Sequence, residues 1–120
     1  MSVKIDYSRD SLLDEFALAT LKDRYMVAGE NSPQEAFARA AEAFADDANH
    51  AQRLYSYVSN LWFMFATPIL SNGGTKRGLP ISCFLNEASD SLGGILDLWS
   101  ENVWLAAKGG GIGSYWGNLR

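Results

Sequence analysis

The one cysteine of the sequence, Cys83, lies in the stretch TPILSNGGTKRGLPISCFL, residues 67–85. A thiol in such a place has two readings. Alone in an apolar run it is a small hydrophobe. Beside a cation it is a nucleophile or reductant, because positive charge favours the thiolate. The setting of Cys83 admits both. LPISCFL is apolar, and the GGTKRG ahead of it offers backbone amides with Thr75, Lys76 and Arg77, a set able to hold an anion. Residue chemistry alone therefore reaches a phosphate-bearing ligand beside a redox thiol, with core filler as its rival.

Other candidates are weaker. KGGGIGSYWG, residues 108–117, resembles a dinucleotide loop at a glance, but no triple of its glycines satisfies G-x-G-x-x-G. The run also follows a helical pattern where that fingerprint needs a strand. It reads either as a helix stop with tight backbone packing, or as a loop whose amides approach a ligand. His50 is the only histidine, has no second imidazole or Cys–His pairing, and reads as a surface residue rather than a metal ligand. Glu35, Glu42, Asp46 and Asp47 read as a solvated helix face. No metal site is expected.

Bulk properties narrow the class. The chain has 120 residues, 48% hydrophobic and 20% charged, a globular balance with length for one core. Its net charge of −4 disfavours a nucleic-acid partner. One cysteine closes no internal disulfide. The N-terminal MSVKIDYSRDSLLDEF carries charges where a signal peptide needs an apolar core, and no apolar run approaches membrane length. A cytoplasmic protein that binds no membrane is the simplest reading.

The elements that must position these residues are mostly helical. Residues 8–21 predict a short helix capped by Ser8 or Ser11, with Leu12, Leu13, Phe16 and Leu21 on one side. Ser32, Pro33 and Glu35 predict a clean helix start with a capping box, followed by Phe37, Ala40, Ala41, Phe44 and Ala45 at helical spacing. A third helix after DDANH carries Ala51, Leu54, Tyr55, Val58, Leu61, Trp62 and Phe65 and ends before Pro68. SNGGTKRG is a loop. Residues 80–85 predict a buried strand, and residues from about Asp90 to Ala107 a further helix, capped by Ser89 or Asp90 and stopped at Lys108 and Gly109. The glycine turn and strand-like GSYWGNLR then leave a strand–helix–loop unit without a second strand. The fold class is mainly α with a short β element.

TPILSNGGTKRGLPISCFLNEASDSLGGI followed by KGGGIG resembles the large (catalytic, α) subunit of ribonucleotide reductase, and the similarity runs from IDYSRDSLLDEF to Arg120. The resemblance implies an N-terminal helical region over residues 1–78. Residues 79–120 would then be the first strand, effector-site helix and Gly-rich loop of a ten-stranded α/β barrel. Cys83 matches the redox-active cysteine that supplies electrons at the ribose 2′ carbon and becomes half of a disulfide. Thr67 and Ser82 match residues that contact the substrate nucleotide, Thr67 at its phosphate, and Gly110 and Gly111 match the loop bordering that pocket. Asp90, Ser91, Leu92 and Arg120 match the site of the deoxynucleotide or ATP effector. The 90–107 helix resembles one that packs across an α homodimer.

The departures bear on activity. The disulfide partner, the radical-bearing cysteine in N-x-C-x-E, the other barrel strands and the C-terminal cysteine pair have no counterpart in the sequence, and neither has an ATP cone. The expectation is an N-terminal piece of a split or truncated subunit, inactive alone and completed by a complementary C-terminal α chain. A separate metal-containing radical subunit is expected ahead of adenosylcobalamin, with thioredoxin or glutaredoxin as reductant and no cofactor bound by these residues. The rival readings are a non-catalytic nucleotide-binding or regulatory module and a helical interaction domain. Diphosphate and triphosphate substrates are not distinguished at this level.

Overall fold

The computed structural model describes residues 3–120, which form two compact units dividing between Arg77 and Gly78. The first is all helical. A 3₁₀ helix, Tyr7–Leu12, precedes α1 (Glu15–Arg24), α2 (Pro33–Phe44), α3 (Ala48–Ser59) and the short α4 (Thr67–Asn72). The expected single helix over 8–21 is therefore two elements. Asp6 caps the first, and the Asp14 carboxylate accepts from Ala17 N at 2.7 Å to start α1. That cap needs an extended Asp14, which interrupts any incoming helix. Ser11 caps nothing; its hydroxyl donates to the Ser8 carbonyl.

Helix α2 is the spine of this unit. Ser32 caps it and Pro33 opens it, as the SPQE pattern predicts, while Glu35 accepts from Asn31 N at 2.6 Å, one residue further back than a capping box would reach. Ala36, Phe37, Ala40 and Ala41 are fully buried, and the small side chains let Ala51, Tyr55 and Val58 of α3 approach closely. Polar groups are buried only in pairs. The Tyr55 hydroxyl donates to Gln34 Oε1, Gln34 Nε2 donates to Asp10 Oδ1, and Ser32 Oγ donates to Asp10 Oδ2. The acidic residues expected on a solvated face are partly used: Glu42 Oε1 accepts from Val3 N, and Asp47 caps α3 through His50 N.

Arg39 ties the loops to this spine. Its Nε lies 2.6 Å from Glu30 Oε1, Nη1 donates to the carbonyls of Leu70 and Gly73, and Nη2 donates to the Tyr25 carbonyl and Glu30 Oε2. All five guanidinium hydrogens thus have acceptors. Both side chains of the pair are largely buried.

Two expectations fail between α3 and the second unit. Helix α3 stops at Ser59 rather than running toward Pro68, because Leu61 turns left-handed at φ 60°. Leu61, Trp62 and Phe65 therefore leave the helical stripe. Pro68 does not end a helix either; it sits in the first turn of α4, where its missing N–H costs nothing.

The second unit is a βαβ unit: β1 (Cys83–Glu87), α5 (Leu92–Ala107) and β2 (Gly111–Tyr115), with the strands paired in parallel. The second strand absent from the sequence reading is therefore present, starting inside the glycine run. The strand expected over 80–85 lies three residues later and is not buried. Only one face of the sheet meets α5, and Leu85 on the other is 90% exposed. Asn86, Asn102 and Ser114 close a ring between β1, α5 and β2, with hydrogen bonds of 2.7, 3.0 and 2.7 Å. No helix of the described residues is long and apolar enough to cross a membrane.

Two outcomes follow for the first unit. Arg39→Lys removes the planar fork and leaves carbonyls without donors, so chemical denaturation should show a loss of about 2–4 kcal/mol. An unchanged midpoint would contradict the clamp. The Asn31 N–H bond holds the Glu35 carboxyl below its ordinary value of 4.5. A carboxyl with a lowered folded pKa stabilises above its unfolded value and loses that contribution as pH falls through the folded one. Glu35→Gln should therefore be less stable than the parent near neutrality, with the difference shrinking below about pH 4.5 in denaturation curves across pH.

Candidate functional site

Cys83 opens β1 directly across from Gly111, the first residue of β2. Side chains alternate along a strand, so Cys83, Leu85 and Glu87 share the face of Gly111, Gly113 and Tyr115, while Phe84 and Asn86 turn toward α5 with Ile112 and Ser114. The Cys83 thiol is exposed and unpaired in any disulfide, with Ser82 Oγ 3.8 Å from Sγ. Gly111 N donates to the Ser82 carbonyl at 2.6 Å, which holds the residue before the cysteine against the glycine run. Ser82, Cys83, Gly110 and Gly111 are thus gathered at one end of the sheet. The core-filler reading of the thiol does not describe this unit.

The glycines are explained by packing. Gly109 ends α5 at φ +83°, a left-handed position that favours glycine. A Cβ on Gly110 would lie 2.7 Å from the Phe84 ring and 3.1 Å from the Leu105 carbonyl. The helix-stop reading accounts for these two residues. Gly111 adds the consequence that no side chain stands beside the thiol across the ladder.

At the other end of β1, Arg120 Nε lies 2.5 Å from Asp90 Oδ2, and Arg120 N points at Asp90 Oδ1 at 3.5 Å. Ser91 is the cap of α5, accepting from Gly94 N at 3.0 Å, so the cap falls one residue beyond Asp90 and two beyond Ser89, the expected positions. Leu92 is exposed. Asp90, Ser91, Leu92 and Arg120 are thereby neighbours, with a cation and a carboxylate already paired.

Thr67 belongs to the first unit. It is the first residue of α4, and its Oγ1 lies 3.2 Å from the Tyr25 hydroxyl. The sequence reading singled out Thr67 and missed Tyr25. Nothing in the local pattern of DRYMVAG marks a tyrosine that will meet a residue on a later helix. His50 Nδ1 accepts from Asp46 N at 3.2 Å, at a helix start far from any of these groups in sequence.

The relatives of the chain bear on what this arrangement serves. Residues 11–78 match the family described as "Ribonucleotide reductase, all-alpha domain". The chain is 50% identical over 112 residues to the ribonucleoside-diphosphate reductase large subunit of Invertebrate iridescent virus 3, covering 92% of this chain and 18% of that protein. It is 47% identical over 109 residues to that of Invertebrate iridescent virus 6, covering 91% of this chain and 11% of the relative. The fold superposes on the class Id ribonucleotide reductase alpha subunit of Actinobacillus ureae with a TM-score of 0.77 and 31% identity, covering 98% of this chain and 22% of that one. The chain thus spans between 11% and 22% of the length of these relatives. It belongs to the ribonucleotide reductase large-subunit family and carries that family's all-alpha domain.

Proposed function

We propose that these residues serve in a ribonucleotide reductase catalytic subunit, with residues 1–78 as its helical region and 79–120 as the beginning of its barrel. The observation that carries this reading is an accessible Cys83 on the open face of a parallel strand pair, opposite a glycine. The names of the viral relatives favour a ribonucleoside diphosphate as substrate.

In this reading Cys83 is one of two thiols that reduce the ribose. Two thiols supply two electrons and two protons. The 2′ carbon–oxygen bond breaks, a carbon–hydrogen bond forms, the hydroxyl departs as water, and the sulfurs close a disulfide. The second sulfur must lie outside residues 1–120, because these hold one cysteine. We assign it to the remaining strands of the α subunit, with a small subunit supplying the radical and thioredoxin or glutaredoxin restoring the thiols. Catalysis by these residues alone is not expected.

The other groups take supporting roles. Thr67 donates its hydroxyl to a substrate phosphate, Ser82 contacts the nucleotide, and Gly110 and Gly111 leave room for it. Asp90, Ser91, Leu92 and Arg120 hold the effector, the arginine being suited to its phosphates. Leu92, Leu96, Trp99 and Val103 of α5 are exposed at helical spacing, an apolar stripe that supports an α–α contact there. The reaction belongs in the cytoplasm.

The test is Cys83→Ser in the assembled subunit. A hydroxyl of the same shape cannot form a disulfide, so multiple turnover should fall to background while assembly and effector binding stay at parental levels. Undiminished multiple turnover by the variant would overturn the assignment.

A further inference from the structure

Thr67 is one of two hydroxyls that meet on the first unit. Its Oγ1 lies 3.2 Å from Tyr25 Oη. The two residues come from segments far apart in the chain, the end of α1 and the start of α4, and a single guanidinium holds both. Arg39 Nη2 donates to the Tyr25 carbonyl at 3.0 Å, and Nη1 donates to the Leu70 and Gly73 carbonyls at 3.0 and 2.6 Å, in and just after α4. Glu30 grips the same guanidinium at 2.6 Å and ties back the loop after Tyr25 by accepting from Val27 N at 2.8 Å. Tyr25 lines an apolar groove together with Leu21, Met64, Phe65 and Leu70. The separation of the two hydroxyls is thus fixed by a rigid five-donor fork.

We propose that Tyr25 is a positioning residue whose hydroxyl, held through Arg39 and Glu30, turns the Thr67 hydroxyl toward the phosphate end of the nucleotide substrate. The inference rests on the reading of Thr67 as a phosphate contact. An ionised phosphate only accepts hydrogen bonds, so Thr67 must spend its single hydrogen on the ligand. One of its lone pairs is then left to receive the Tyr25 hydrogen, and the two bonds polarise each other in the same direction. Removing the tyrosine hydroxyl leaves Thr67 free to point its hydrogen elsewhere, for instance to water.

The experiment uses the complete catalytic subunit with its radical-generating partner and a ribonucleoside diphosphate as probe. Tyr25→Phe keeps the ring in its groove and should raise KM about three- to tenfold, the worth of one neutral hydrogen bond, with kcat within twofold of the parent. Thr67→Ala should raise KM by at least as much. In the Thr67→Ala background, adding Tyr25→Phe should change KM no further, because the tyrosine acts only through the threonine. A KM raised by Thr67→Ala but unmoved by Tyr25→Phe overturns the positioning role and leaves the phosphate reading standing. Additive effects in the double variant also overturn it, since Tyr25 would then touch the substrate itself. A KM unmoved by Thr67→Ala overturns both.

Discussion

Parallel strands can exchange hydrogen bonds only if the chain returns to the end at which it started, and here α5 makes that return between Glu87 and Gly111. The pairing of β1 with β2 is the constraint on which the candidate redox site depends. Because side chains alternate along a strand, a slip of one residue would send Cys83 to the helix-facing side and Phe84 to the open one. The Asn86–Asn102–Ser114 ring guards against this. Each member is already both donor and acceptor, so any other register would leave a polar group between sheet and helix without its partner. Gly110 contributes by steric fit, since only a residue without a Cβ lets the chain leave α5 beside the Phe84 ring.

The helical unit solves a different problem by a related device. Its core gathers alanines, Val3, Leu21, Val58, Leu70 and two large rings, Phe37 and Tyr55, and a long loop and the short α4 are attached to it. Arg39 adds hydrogen bonds to backbone carbonyls to the apolar contact made by the buried Leu70 of α4. A fork with fixed angles sets distance and direction together, which a cluster of leucines would not. The same fork ties together the backbone segments that carry the Tyr25 and Thr67 hydroxyls.

Much of this was legible in the sequence where a local signal and a packing need agreed. Ser32 and Pro33 mark the start of α2, and its alanines mark the buried face. The stop of α5 at Gly109 was legible for the same reason. The failures are equally specific. The break at Asp14 was hidden because Leu12, Leu13 and Phe16 keep a helical rhythm across it, while the end is decided by one carboxylate. Helix α3 was read too long because Leu61, Trp62 and Phe65 continue its period, and no glycine or proline announces the left-handed turn at Leu61. Strand β2 was missed because Gly111 and Gly113 occupy its open face and leave no alternation of side chains to recognise. The reading of Cys83 and its glycine neighbours as a site came through a resemblance carried by many residues at once. The meeting of Tyr25 with Thr67 was not legible, since it joins residues far apart in the chain.

The central claim is that the Cys83 sulfur gives up electrons to a bound ribonucleotide and is oxidised against a sulfur outside these residues. The most direct measurement is a single turnover of the assembled subunit without external reductant, quenched in acid, alkylated and mapped by mass spectrometry. The account predicts Cys83 in a disulfide with a cysteine outside these residues, in an amount equal to the deoxynucleotide formed. Deoxynucleotide formed in full with Cys83 still alkylated as a free thiol would contradict it.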